Sequence, residues 1–499
     1  MVFIHNTKIM LKKLRELNLN KLSYIQVLIS NINYVVLYIF ATLPAIGWLV
    51  VRYPAYYFPI DLSRFFALLA FGFLSSTILI TIKRPLKLPY IQLRLLPNID
   101  KLYIHHQILG ILSLLSIYFH YLFLLIYYRN LPIFVNIIFF GDISSLNLGL
   151  ISFYILTIGL FIIYFASKLK YKTWSLLHSL FSIFWIVSVL HIILVKSNYK
   201  NILSLKLIIY FYLIFITTIY IYRVILKLFL YKYFFTSGII SKIDKLTEDN
   251  YLITITAFSK NGFKNILPGH YVFLKLDKKH NSIIENPFTV IDKKDDDQIQ
   301  FIIKKYENVT KKIIKSQNAK IYINGPFGTL PEEILSKRHP NIIIFTAGIG
   351  ITPTIGILNL ITKFKLKIKS SVFYITKNTH CDIFDLYFKN LNKKNTTLNC
   401  YKNTIYTEKS GRPTDQIYNQ FLKENISKVA TKNLIIINGP YHFINSVKTS
   451  ISHEIKNLKN ELKLYTENIA FNKPMLLTRI SIILIFITII NTLIRFLIF

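Results

Sequence analysis

Tyr103-Ile104-His105-His106-Gln107-Ile108-Leu109-Gly110 lies in a charge-free stretch that also carries His120, and Tyr171-Lys172-Thr173-Trp174-Ser175-Leu176-Leu177-His178 opens a second that carries His191. Ionisable side chains inside an apolar helix are costly and mark function. The histidines stand fourteen residues apart in the first stretch and thirteen in the second, roughly 20 Å along a helix. If both helices cross a membrane in the same direction, His106 is level with His178, and His120 with His191. Two imidazoles facing each other make a bis-His heme site, and two levels stack one heme above the other. Fourteen residues return His120 to within about 40° of His106, whereas thirteen leave His178 and His191 about 140° apart. The second helix must therefore kink or rotate, or each heme must be approached from a different side. The plain alternative is four polar residues hydrogen-bonded to neighbouring helices; two matched levels argue for ligands. His105, at the edge of its span, reads as a headgroup-level residue.

Working outward, charge-free stretches run over 22–51, 65–82, 102–128, 143–167, 173–195 and 207–222. Each reaches or approaches the roughly 20 residues that cross a bilayer. The chain is 53% hydrophobic, with a mean hydropathy of +0.43, too apolar for an ordinary soluble protein. Counted over alternate loops, thirteen Lys and Arg fall on one side and six on the other. The positive-inside rule then puts the N-terminus inside, and six spans return the chain to that side near residue 223. The formal charge of +36 raises a nucleic-acid partner, but binders cluster their charge and here the lysines are dispersed. With only Cys381 and Cys400, no disulfide framework, Cys₄ zinc site or thiolate cluster is expected. The basic, polar first twenty residues read as no secretory signal.

From about 236 the texture turns to short β-branched and aromatic runs, read as antiparallel strands. After about 340 it becomes strand, Gly-rich turn and helix, repeated, which is a doubly wound nucleotide-binding layout. Ile342-Ile343-Ile344-Phe345-Thr346-Ala347-Gly348-Ile349-Gly350-Ile351-Thr352-Pro353 runs an apolar strand into such a turn. Glycines admit a dinucleotide pyrophosphate to the backbone there, and the helix start favours its charge. A turn of purely structural purpose is the alternative. Residues 475–499, broken only by Arg479 and Arg495, read as a seventh span or an interfacial segment.

The two histidine stretches together resemble the third and fifth spans of the ferric reductase and NADPH oxidase superfamily, and the resemblance extends over roughly 60–470. It implies a membrane α-helical heme bundle joined to a ferredoxin-reductase-like module, an antiparallel β-barrel for FAD followed by an α/β doubly wound nucleotide domain. The organisation expected is a cytosolic segment 1–33, a di-heme transmembrane domain 34–232, the FAD barrel 236–330, the NAD(P) domain 340–471 and the apolar segment 475–499. His106 and His178 would hold the inner heme b, and His120 and His191 the outer. Asn286-Pro287-Phe288-Thr289 resembles the family's His-Pro-Phe-Thr flavin motif, with Asn286 departing from His; Pro287, Phe288 and Thr289 are the expected flavin contacts. Lys304 and Thr310 resemble the pyrophosphate segment, where Glu307 replaces a glycine; a solvated basic edge strand is the alternative reading. Gly348, Gly350, Thr352 and Pro353 form the nucleotide turn. Asn324-Gly325-Pro326-Phe327-Gly328 resembles the turn joining the two domains. Asn438-Gly439-Pro440 resembles the Cys-Gly-Pro beside the nicotinamide, with Asn438 in place of the thiol. Lys377 falls where a 2′-phosphate is often met, or is a plain surface lysine. Glu467 and Phe471 resemble the C-terminal acid and ring-covering aromatic.

The function implied is transfer of electrons from NADPH or NADH through FAD and two hemes b, across the plasma membrane from a cytoplasmic dehydrogenase half, to a ferric or cupric chelate. Oxygen is the other acceptor, giving superoxide. A non-enzymatic heme-binding membrane protein with a structural dehydrogenase half is the rival class, supported by the departures at Asn286, Glu307 and Asn438. Membrane lipid, the nucleotide and the acceptor are the expected partners.

Overall fold

The computed structural model describes residues 35–51, 58–81, 99–165, 173, 177–178, 180–195, 201–225, 233, 235–277, 283–305, 308–336, 338–394, 399–426, 433–457 and 462–466. The expected cytosolic segment 1–33, Glu307, Glu467, Phe471 and the segment 475–499 lie outside them.

The first half is helical: α1 (Val35–Val51), α2 (Phe58–Ile80), α3 (Ile99–Tyr128), the short α4 (Phe134–Ile138), α5 (Ser144–Phe165), α6 (Leu180–Leu194) and α7 (Leu203–Ile225). Three stretches, Phe58–Ile80, Ile104–Tyr128 and Leu203–Tyr222, are long and apolar enough to cross a membrane, while α1, α5 and α6 supply shorter apolar runs. Small residues let helices approach where lipid offers no hydrophobic drive. At Gly72 a Cβ would run into the Ala41 carbonyl oxygen, so α1 and α2 touch backbone to backbone there. Trp48, Phe71, Trp185, Leu205, Ile209 and Tyr212 form a core shared by α1, α2, α6 and α7.

One sequence reading is corrected here. The charge-free cut began the second span at residue 65 and left Asp61 and Arg64 in an outer loop. Instead α2 starts at Phe58, and both residues lie in its first two turns. Asp61 is 3% exposed and takes a bond from Arg64 Nη1 at 3.4 Å. Pairing of opposite charges lets an apolar helix carry them near its end, which a cut at charged residues cannot detect.

The second half opens with a closed barrel of β1 (Thr236–Lys245), β2 (Asn250–Ala257), β3 (Tyr271–Leu276), β4 (Ile283–Lys293), β5 (Gln298–Lys304) and β6 (Lys320–Phe327), in the order β1-β2-β5-β4-β3-β6. Alternation sends Ile240, Val272, Leu274, Phe288, Val290, Phe301 and Ile323 into one interior cluster. Helix α8 (Asn308–Ile314) lies between β5 and β6, and α9 (Leu330–Leu335) follows β6.

A sheet of β7 (Asn341–Ala347), β8 (Lys369–Thr376), β9 (Cys400–Tyr406), β10 (Asn433–Asn438) and β11 (Leu462–Thr466) comes next, with helices α10 (Ile351–Lys363), α11 (Ile383–Lys394), α12 (Thr407–Ser410), α13 (Asp415–Asn425) and α14 (Tyr441–Asn457) between its strands. All strand pairs are parallel, in the order β11-β10-β7-β8-β9. The order reverses between β7 and β10, so the switch point where ligands bind in such sheets lies there. The central strands β7 and β10 are buried along their whole length and read as nearly unbroken apolar runs because both faces are covered. Barrel and sheet join through α10. A Cβ on Gly356 would meet the Gly269 nitrogen at 2.5 Å and the Val290 oxygen at 2.9 Å, and Asn359 Nδ2 donates to the Ile291 carbonyl at 2.6 Å.

A second tie has a measurable consequence. Glu333 of α9 accepts bonds from His339 Nε2 and from Lys463 Nζ of β11, each at 2.7 Å. Burial pushes its carboxyl up, but these two bonds outweigh burial and hold it at about 2. The stabilisation is therefore complete above the ordinary value of 4.5 and drains as the pH falls through about 2. Glu333→Gln should cost about 1 kcal/mol at pH 7, since one partner of a half-buried charged cluster is lost. Thermal unfolding of the purified variant checks this: its midpoint should lie below that of the unaltered protein at pH 7, with the gap closing towards pH 2. Equal midpoints at pH 7 would deny the tie any energetic role.

Candidate functional site

The four histidines come together in two pairs. The His106 and His178 ring centres are 6.1 Å apart with planes at 79°, and His191 lies near enough to His120 to act on it electrostatically.

The rings are oriented by backbone. His106 Nδ1 meets the Thr77 carbonyl at 3.3 Å, His120 Nδ1 the Ser63 carbonyl at 3.0 Å and His191 Nδ1 the Ser145 carbonyl at 2.7 Å. A carbonyl only accepts, so at His106 and His191 Nδ1 carries the proton and Nε2 keeps its lone pair, the tautomer a metal requires; His120 Nδ1 also lies 2.8 Å from the Ser63 hydroxyl. Ser63 and Thr77 are fourteen residues apart on α2, as His106 and His120 are on α3. The two helices run antiparallel with the same rise, so one ladder of carbonyls serves both rings. The neighbouring glycines fit the same picture. A Cβ on Gly149 would meet His191 Cε1 at 3.0 Å, so α5 admits that ring. A Cβ on Gly110, one turn along α3 from His106, would meet nothing within 4 Å. His120 is held from α2 and His191 from the start of α5. His105 is turned to α1, its Nδ1 3.1 Å from the Tyr38 hydroxyl. Among the described residues no group of three or more His, Cys, Asp or Glu is placed to hold a metal ion; a bis-His heme needs two protein ligands.

On β4 the expected flavin residues divide between faces. Phe288 packs in the barrel interior, paired in register with Val272. Pro287 and Thr289 are half-buried on the opposite face, beside the cluster of Tyr271, Phe273 and Phe327. Lys304 is exposed at the end of β5, and Thr310 is buried in the first turn of α8.

At the switch point two turns touch. Gly348–Gly350 follows β7 as a single tight helical turn, and Gly439, at φ 157°, follows β10. A Cβ on Gly350 would meet the Asn438 oxygen and the Gly439 Cα, both at 2.8 Å. Gly348 has φ 56°, which only glycine adopts readily, and its carbonyl accepts from the Tyr374 hydroxyl at 3.3 Å. Thr352 and Pro353 open α10, with Thr352 Oγ1 donating to the Ile349 carbonyl at 3.1 Å. Asn438 is 3% exposed, and neither its Nδ2 nor its Oδ1 has a hydrogen-bond partner among the described residues. The Thr346 hydroxyl, its register partner on β7, is equally unsatisfied. Buried polar groups seldom go unpaired except where a ligand or water completes them.

At the end of β8, Lys377 is exposed but not open. Its Nζ lies 3.1 Å from Glu408 Oε1, Asn378 Nδ2 donates to Glu408 Oε2 at 2.9 Å, and the Glu408 backbone N–H donates to the Lys377 carbonyl at 3.0 Å. The Asn378 amide and the Lys377 ammonium hold the Glu408 carboxyl below its usual range.

The α2 carbonyls, Gly149 and Glu408 were not legible as functional residues. The fourteen-residue match between Ser63–Thr77 and His106–His120 was a usable signal on the neighbouring span. Nothing local marks Glu408, because it follows the third strand and reaches Lys377 only through the sheet order.

The profile of a family described as an FAD-binding domain matches residues 240–330, from β1 to the start of α9. No curated protein matches the chain in sequence. Among solved structures, the chain is similar to the cytochrome b5 reductase domain of Ulva prolifera nitrate reductase, with 10% identity, 46% of this chain and 97% of that one covered and a TM-score of 0.37. It is similar to a ferredoxin NADP+ reductase from Neisseria gonorrhoeae with bound FAD and NADP, with 13% identity, 47% and 98% covered and a TM-score of 0.37. The CS-b5R domains of human Ncb5or, in the NAD+ form, give 19% identity, 46% and 69% covered and a TM-score of 0.36. The barrel with its FAD-binding match, packed on a doubly wound sheet with two glycine turns at its switch point, defines a flavoprotein oxidoreductase module. Helices long and apolar enough to cross a membrane precede it in the same chain.

Proposed function

We propose that the chain is a multi-pass membrane oxidoreductase that takes hydride from NADH or NADPH on the side of its reductase half and delivers electrons across the membrane to a ferric or cupric chelate. The observation that carries this reading is the two histidine levels, with the 6.1 Å separation of His106 and His178 and Nδ1 of His106, His120 and His191 bound to carbonyls.

His106 and His178 would hold one heme b, and His120 and His191 the other. FAD would rest on the Pro287 and Thr289 face of β4, with Lys304 and Thr310 toward its pyrophosphate; Phe288 supports that face from the core. When bound, flavin accepts a hydride and releases single electrons, which heme iron can carry one at a time. The chain's own residues bind and orient. Gly348 and Gly350 let the nucleotide pyrophosphate reach backbone N–H groups at the start of α10, where Thr352 and Pro353 fix the first turn. Asn438 offers one buried donor and one buried acceptor, the complement of a nicotinamide carboxamide, and Gly439-Pro440 keep the wall beside it thin. The backbone carbonyls of α2 and α5 align the imidazoles of His106, His120 and His191.

The test uses sealed vesicles of known orientation, with NADH or NADPH on the reductase side and an impermeant ferric chelate on the other. Chelate reduction across the membrane, with low-spin heme bands appearing in the reduced-minus-oxidised spectrum, is the expected result. Superoxide without chelate reduction would overturn the acceptor. Chelate reduction confined to the nucleotide side would overturn the topology, and no heme bands the whole heme assignment. A heme-replete protein that no nucleotide reduces would leave the non-enzymatic reading.

A further inference from the structure

We propose that Glu408 makes this protein an NADH enzyme that discriminates against NADPH. The inference rests on the nicotinamide-nucleotide reading above and names which nucleotide that site takes.

In a doubly wound sheet the adenine ribose lies beyond the end of the second strand, here β8. The groups at that end decide between a ribose 2′-hydroxyl and a 2′-phosphate. An acid accepts from the hydroxyl, and a free cation meets the phosphate. The sequence offers a cation, Lys377, directly after β8, but the fold closes it. Both oxygens of one carboxylate are engaged, Oε1 by Lys377 and Oε2 by Asn378. The Glu408 N–H bond to the Lys377 carbonyl fixes the two segments to each other, so the contact is more than two flexible side chains meeting. Glu408 thus occupies the donors a phosphate would need. Its carboxylate already plays the anion's part there, and a dianionic 2′-phosphate would have to displace a like charge. A neutral ribose meets no such repulsion and finds an acceptor. Other charge nearby does not reverse this. Lys409 is the next residue along α12, and His380 acts on Glu408 from the turn after β8, but neither takes the place of the Lys377–Asn378 donor pair. An exposed ion pair contributes little stability on its own, so the expected effect is on nucleotide choice rather than on folding.

The experiment measures kcat/KM for NADH and NADPH with the purified, FAD-loaded full chain, reading flavin reduction in single-turnover mode, beside the dissociation constants of NAD+ and NADP+. The unaltered protein should favour NADH by at least about tenfold, since a like charge stands where the 2′-phosphate would lie. Glu408→Gln keeps the size and the hydrogen bonding to Asn378 but removes the charge. It should move the NADH-to-NADPH ratio toward NADPH by about tenfold. Glu408→Gln with Lys377→Ala should lose that gain, because the freed ammonium is what meets the phosphate. Bound FAD absorbance reports that each variant is folded. A preference for NADPH in the unaltered protein, or a ratio unmoved by Glu408→Gln, would overturn the proposal. If FAD is bound but neither nucleotide reduces it, the hydride-donor reading itself fails and this proposal falls with it; the NADH signal separates the two failures.

Discussion

Replacing His106 with alanine is expected to lower the heme content of the purified protein from two per chain to one and to stop nucleotide-driven reduction of the remaining center. The ring of His106 stands 6.1 Å from that of His178 and is oriented by the Thr77 carbonyl. Removing it leaves a metal with one protein ligand where low-spin bis-His ligation needs two. His105→Ala is the matched control, because that ring is turned to Tyr38, and it should keep both hemes. Pyridine hemochrome quantitation and the low-spin spectrum read both variants. Two low-spin hemes surviving in His106→Ala would sink the ligand assignment.

The second large effect is expected at Gly350. A valine there brings a Cβ to 2.8 Å from both the Asn438 oxygen and the Gly439 Cα. These are backbone atoms, so no side-chain rotation relieves the clash and the two turns must part. Their contact forms the switch point, and the pyrophosphate would lose its close approach to the start of α10. We expect kcat/KM for the nucleotide to fall by roughly two orders of magnitude, as for a misplaced substrate, while bound FAD stays stoichiometric because its barrel is a separate core. Nucleotide turnover unchanged in Gly350→Val would place the nucleotide elsewhere.

How much of this was legible in the sequence differs by level. The helices follow from runs free of charge, and the strand-to-turn rhythm after 340 from apolar runs ending in glycine, because hydrophobicity and glycine act locally. The start of α2 escaped because Asp61 and Arg64 neutralise each other, a pairwise property that a residue-by-residue cut misses. Phe288 was read as a flavin contact from its motif, whereas strand alternation assigns it to the barrel interior with Val272 and Val290. Lys377 was legible as a cation but not as one already paired.

By itself the sequence determined the order of the parts. An apolar helical half carries two pairs of histidines, spaced fourteen and thirteen residues, then comes a β region with an FAD-type motif, then a glycine-punctuated α/β region. Period, apolarity and glycine placement are properties of neighbouring residues, and they need no partner to be read. Only the tertiary structure decided which groups face one another. It set Thr77 and Ser63 behind the rings of α3, Gly350 against Gly439, and Glu408 on Lys377 across two strands of the sheet. Those contacts join residues from 29 to 89 positions apart. Their energies arise from helix pairing and strand order, which the chain acquires only when its cores close.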